Sequence, residues 1–229
     1  MSSRLLPLVA IVSLVVVGGC ASGPAALPTV ATGANAEVTL EGLARMDNTV
    51  FQLGYAKPDL DLSGYTGFIL EPVTVAYQKD PGGRTRFATD QNFALSARQM
   101  DELKGMFQEE VSEALTEGGG YRLVQSPASN VLRLKAKLVD LVVRVPTDLG
   151  GREDVYANSY GAVTLIVELY DSQSGEILAA IAQRQDPTNS TRALAEVNRT
   201  YVRSDVTRMF QQWAETMRER LDQLRAVTP

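Results

Sequence analysis

The chain has 229 residues, a formal net charge of −5, one cysteine and no histidine. One thiol cannot build a disulfide scaffold, and a chain without histidine lacks both a Cys/His metal centre and the usual general base near neutral pH. The acidic balance offers no basic excess for nucleic acid.

Met1 to Arg4 is a short positive start, and Leu5 to Val17 is an apolar run broken only by Pro7 and Ser13. This is a secretory signal pattern, too short for a permanent span, which needs roughly 20 apolar residues. Gly18 and Gly19 let a protease approach the backbone just before Cys20. Val17-Gly18-Gly19-Cys20 resembles the lipobox of bacterial lipoproteins, with valine where leucine is commoner. The resemblance implies cleavage after Gly19, a diacylglyceryl group on the Cys20 sulfur and fatty acylation of the new amino terminus. Two or more acyl chains hold a protein stably to a bilayer. The other reading of the same residues is an ordinary cleaved signal peptide with an incidental cysteine. Ala21 stands where such proteins carry aspartate when they are retained in the inner membrane. The resemblance therefore implies a periplasm-facing lipoprotein of the outer membrane in a Gram-negative bacterium.

With residues 1–19 removed as signal peptide, residues 20–37 read as a lipidated tether of Ala, Gly, Pro, Thr and Ser. Treated as a coil, about 17 such residues span roughly 20–25 Å. A single domain, 38–229, follows. Thr39 to Met46 has the spacing of a short helical turn, with Leu40, Leu43 and Met46 on one side. Gly67 to Gln78 is β-branched and aromatic, so it predicts a strand that is bulged or at an edge at Pro72.

Ser96 and Gln99 form a capping-box pattern ahead of Met100, Leu103, Phe107, Val111 and Leu115, which predicts an amphipathic helix ending at Gly118-Gly119-Gly120. From Val131 to Val145 the pattern alternates with Leu132, Leu134, Ala136 and Leu138 on one face and Arg133, Lys135 and Lys137 on the other. The phase then slips, so a bulge is expected near Leu138 to Asp140. Gly161 to Tyr170 and Ile177 to about Gln185 predict an antiparallel hairpin around Asp171-Ser172-Gln173-Ser174-Gly175. Residues 186–203 are ambiguous in their pattern. Ser204 can cap a last helix with Val206, Phe210, Trp213, Met217, Leu221 and Leu224 in its apolar stripe.

These elements predict an α+β fold: an antiparallel sheet of about four or five strands, covered on one face by two amphipathic helices near 96–117 and 204–226. Tyr55-Ala56-Lys57-Pro58, Leu62-Ser63-Gly64-Tyr65-Thr66, Leu70-Glu71-Pro72-Val73-Thr74-Val75, Val131-Leu132-Arg133-Leu134, the segment Leu169 to Ala179, and Asp205-Val206 with Phe210 and Trp213 are similar to an uncharacterised family of bacterial lipoproteins, domain of unknown function 3313. The similarity runs over most of residues 40–225; residues 186–203 depart from the family. It implies a lipid-anchored α/β domain and brings no catalytic residue, cofactor or ligand.

Arg133, Lys135 and Lys137 could contact anions such as lipid A phosphates; equally, they suit the solvated face of an antiparallel sheet, with Glu168 on a neighbouring strand offsetting them. Glu109, Glu110 and Glu113 sit on the polar side of a helix, where solvated charge is ordinary, and no nucleophile accompanies them. Trp213 and Met217 suit either a lipid pocket or the seam of a helix on a sheet. The chain contains no G-x-S-x-G and no S-x-x-K, and its Gly-rich stretches lack the lysine of a phosphate loop. The expectation is a non-catalytic lipoprotein without metal or cofactor that binds the membrane through Cys20 and acts as a binding or accessory component of an envelope complex. The alternative is a periplasmic carrier of lipid or another apolar ligand.

Overall fold

The structure, a computed structural model, describes residues 28–31, 37–79, 93–145, 156–157, 159–187, 195–196 and 199–227. In chain order the strands are β1 (Thr29–Val30), β2 (Ala44–Asp47), β3 (Leu53–Ala56), β4 (Gly67–Leu70) and β5 (Thr74–Tyr77), followed by helix α1 (Ala97–Thr116). Then come β6 (Arg122–Leu123), β7 (Val131–Val143), β8 (Tyr156–Ala157), β9 (Gly161–Asp171), β10 (Ile177–Gln185), β11 (Ala195–Glu196) and helix α2 (Arg199–Val227).

Nine strands form one sheet in the order β1-β2-β3-β10-β9-β7-β4-β6, with β5 also paired to β7; β8 and β11 pair separately. The expected antiparallel sheet of four or five strands is thus corrected in size and direction, since β4 and β5 run parallel to β7, and β6 parallel to β4. The cause is a crossover. The chain leaves β5, passes through α1 and returns to the same sheet, and such a connection delivers a parallel neighbour. Pro72, which cannot donate to a ladder, falls in the gap that divides the expected strand into β4 and β5.

β7 and β9 form the antiparallel centre, from Leu132 opposite Asp171 to Val143 opposite Gly161. The register shifts between Val139 and Val142, and Asp140 takes φ 51° there. This is the expected bulge, and its effect is visible in burial. Leu132, Leu134, Ala136 and Leu138 are buried, and the extra residue lets Leu141 rejoin their face. The hairpin of β9 and β10 is also as expected, with Leu169 opposite Ala179 and Val163 opposite Gln185.

α1 begins with the capping box: the Gln99 amide donates to Ser96 Oγ, and the Ser96 amide donates to Gln99 Oε1. Gly118 (φ 59°) and Gly119 (φ 74°) end it, as their position predicts. α2 starts at Arg199, so Ser204 is an exposed residue inside the helix and not its cap. Thr39 to Gly42 form a tight turn and Ala44–Asp47 a strand, where spacing alone predicted a helical turn. Four residues with apolar spacing satisfy either period, and pairing of β2 with β3 decides for the strand.

The helices run side by side in the same direction, Phe107 meeting Phe210 edge-on at 5.4 Å and Phe210 meeting Trp213 at 5.8 Å. Such ring pairs add about 0.5–1.5 kcal/mol beyond the area they bury. Val111, Leu115, Met209 and Met217 complete the buried stripes against the sheet core. At the far end Arg218 of α2 donates to the carbonyls of Ala114 (2.7 Å), Leu115 (3.2 Å) and Glu117 (2.9 Å), satisfying the exposed end of α1.

Candidate functional site

The bulge and the helix starts border a cavity of about 670 Å³ that is open on one side. Its walls are the first half of α1, the first half of α2 and the ends of β7 and β9, with Leu103, Met106, Leu138, Leu141, Val163 and Phe210 among the apolar lining residues. Gly161 lies on the floor with φ 154°. A Cβ there would stand 1.9 Å from the Val142 carbonyl oxygen, so only glycine lets β9 pass the bulge of β7 this closely.

Tyr160 is buried beside Asp205; burial first, and then that carboxylate, push the phenol above its usual range. Asp205 takes Arg208 at 2.6 Å. At the mouth stand the exposed residues Ser96, Arg98, Glu102 and Arg203. Arg98 pairs with Glu102 at 3.1 Å, whereas Arg203 pairs with no carboxylate among the described residues. A second, wholly apolar hollow of about 80 Å³ lies between α2 and the sheet beside Pro28, Phe51, Leu134, Leu169, Met217 and Leu221.

On the sheet face away from the helices, the three basic residues are distributed among partners. Arg133 pairs with Glu71 at 2.9 Å, Lys137 with Glu168 at 2.6 Å, and the Lys135 ammonium lies 4.4 Å from the centre of the Tyr170 ring. Burial would raise the Glu168 carboxyl, but hydrogen bonds from Lys137 and Tyr170 outweigh it and hold the group below its usual range. The charge of this ladder is therefore largely balanced within the sheet, and Lys135 keeps a cation–π contact alone.

Trp213 and Met217 are buried in the seam of α2 on the sheet; Met217 also lines the smaller hollow. Glu109, Glu110 and Glu113 lie along α1, where burial and the neighbouring carboxylates raise Glu110 above the usual range. Among the described residues no group of three or more Asp, Glu, Cys or His side chains is placed to hold a metal ion. No helix among them is long and apolar enough to cross a membrane. Val17, Gly18, Gly19 and Cys20 lie outside the described residues. The 670 Å³ cavity escaped the sequence because its walls come from segments about 40 and 100 residues apart along the chain; the phase slip in β7 was its one trace.

A search of curated proteins finds no match. Among solved structures the chain is similar to PelC from Paraburkholderia phytofirmans, crystallised as a dodecamer of its L103M form, with 10% identity, 72% of this chain and 94% of that chain covered, and a TM-score of 0.36. It is also similar to protein XCC0632 from Xanthomonas campestris, with 13% identity, coverages of 71% and 86%, and a TM-score of 0.39. A third is the hypothetical protein CT253 from Chlamydia trachomatis, with 14% identity, coverages of 70% and 96%, and a TM-score of 0.34. Likeness at this level bears on neither function nor assembly. The family described as "Protein of unknown function (DUF3313)" matches residues 39–217, and the chain belongs to that family.

Proposed function

We propose that this chain is a lipid-anchored lipoprotein of the outer membrane, facing the periplasm, which acts without catalysis as a binding or accessory component of an envelope complex. The observation that carries the proposal is Val17-Gly18-Gly19-Cys20, behind an apolar run and holding the one thiol of a histidine-free chain. Intact-mass analysis of protein purified from its host tests it. The expected species lacks residues 1–19 and carries a diacylglyceryl group and a further acyl chain on Cys20. A free thiol on a chain of any length refutes the anchor. Cross-linking in intact cells tests the accessory role, and repeated recovery of the chain alone counts against it.

A second reading is favoured by one feature, the cavity of about 670 Å³ between helices and sheet. Its size is within the range of about 300–1,000 Å³ typical of small-molecule sites, and its walls are mainly apolar. On this reading the domain is a periplasmic carrier of a lipid or another apolar molecule.

A further inference from the structure

We infer that the cavity takes one single-chain anionic amphiphile, a long-chain fatty acid, with its carboxylate at Arg203; the inference rests on the carrier reading and names its ligand class. Three observations converge on it. The deep walls, from Leu103 and Met106 to Leu138, Leu141, Val163 and Phe210, are apolar. Tyr160, the buried polar side chain among the described lining residues, lies beside Asp205, and that carboxylate is taken by Arg208 at 2.6 Å, so a head group meets no free cation at depth among the described residues. What enters must therefore be an alkyl tail, because a polar group placed there would lose its water without replacement.

The head group has only the mouth. Arg98 is paired with Glu102, while the Arg203 guanidinium has no ion pair among the described residues. A guanidinium presents a planar fork of donors that matches a carboxylate bidentately. Size limits the tail count. A cavity of about 150 Å³ accepts the six carbons of benzene, or ~25 Å³ per carbon. At that scale 670 Å³ has room for about 27 carbons, which admits one chain of 16 to 18 carbons and excludes two such chains.

Trp213, the only tryptophan of the chain, stands against Phe210, which lines the cavity, and provides the signal. The acylated protein in phosphatidylcholine nanodiscs is titrated with 9,10-dibromostearate and, separately, with its uncharged methyl ester. Bromine in the cavity quenches Trp213. The expected result is saturable quenching at one equivalent, with the acid bound at least tenfold more tightly than the ester. Arg203→Glu removes that preference and leaves ester binding unchanged; Arg203→Lys keeps most of it, which separates the charge from any effect of the exchange on folding. Equal binding of acid and ester overturns the fatty-acid assignment but leaves an apolar carrier standing. Absence of saturable quenching by either probe overturns both, without touching the lipid anchor.

Discussion

Arg218 shows how a residue that looks like surface in the sequence becomes a fastener between elements. Its position on α2 gives only a charge beside an apolar stripe. In the fold it reaches three carbonyls at the end of α1, with Asp222 at 2.5 Å holding the guanidinium from behind. Gly120 makes the room, since a Cβ there would lie 2.5 Å from the guanidinium carbon. Arg218→Ala should lower stability by about 2–4 kcal/mol in urea unfolding, because charge-assisted bonds to orphan carbonyls are lost together. Gly120→Ala should cost less, and the double variant should lose less than the sum of the two, because both act on one interaction. At Gly161 the obstruction is backbone, so relaxation is harder. Gly161→Ala should cost about 3 kcal/mol or more, seen as a lower urea midpoint, through positive φ and a clash with Val142. None of this pairing was legible beforehand, because it depends on which helix ends meet.

At the scale of elements, legibility followed local chemistry. The α1 cap, the β7 bulge and the β9–β10 hairpin each rest on contacts within a few residues or one pattern phase, so the sequence announces them. The strands β1, β2, β3 and β6 have two to four residues, too few to show a period, and the parallel pairing depends on a crossover that no local signal encodes. The hairpin also carries a titration. Asp171 accepts the amides of Ser174 (2.6 Å) and Gln173 (3.0 Å) and the hydroxyls of Ser174 and Tyr65, both at 2.8 Å. The Ser174 amide above all, against the opposing effect of burial, holds its carboxyl below the usual 3.8, and Glu168 is held below 4.5. Groups so lowered stabilise the fold above their unfolded values and lose that contribution as pH falls through the folded ones. The urea midpoint should therefore hold steady down to about pH 4.5 and decline below it, and Asp171→Asn should flatten the lower part of that decline. Tyr65 has the opposite sign. Burial first, and then Asp171, push it up to about 12, so its contribution is full below pH 10 and fades as pH rises towards 12.

For the molecule as a whole, the decisive geometry is where the chain enters the sheet. Thr29 and Val30, within the stretch that composition marks as tether, pair with Asp47 and Met46 at the sheet edge. Nine residues of sequence then separate Cys20 from that edge, fewer than the 17 of a tether reaching to residue 37. The opposite edge, β6, lies seven strand spacings away, or about 34 Å at ~4.8 Å each. An anchored molecule should therefore present the turn between β2 and β3 to the bilayer and hold β6 away from it. Val50 in that turn and Leu123 in β6 are nearly equal in exposure, at 47% and 46%, which makes them matched label sites. With Cys20 acylated, a cysteine introduced at either position is the one thiol open to a fluorescent maleimide. Spin-labelled head groups in a nanodisc should quench the dye at position 50 at least twofold more than at position 123. Equal quenching would mean that β1 leaves the sheet and the domain tumbles freely on a longer tether. Dye on the unsubstituted chain would mean something more basic, that the Cys20 sulfur is free and the molecule is held by other means.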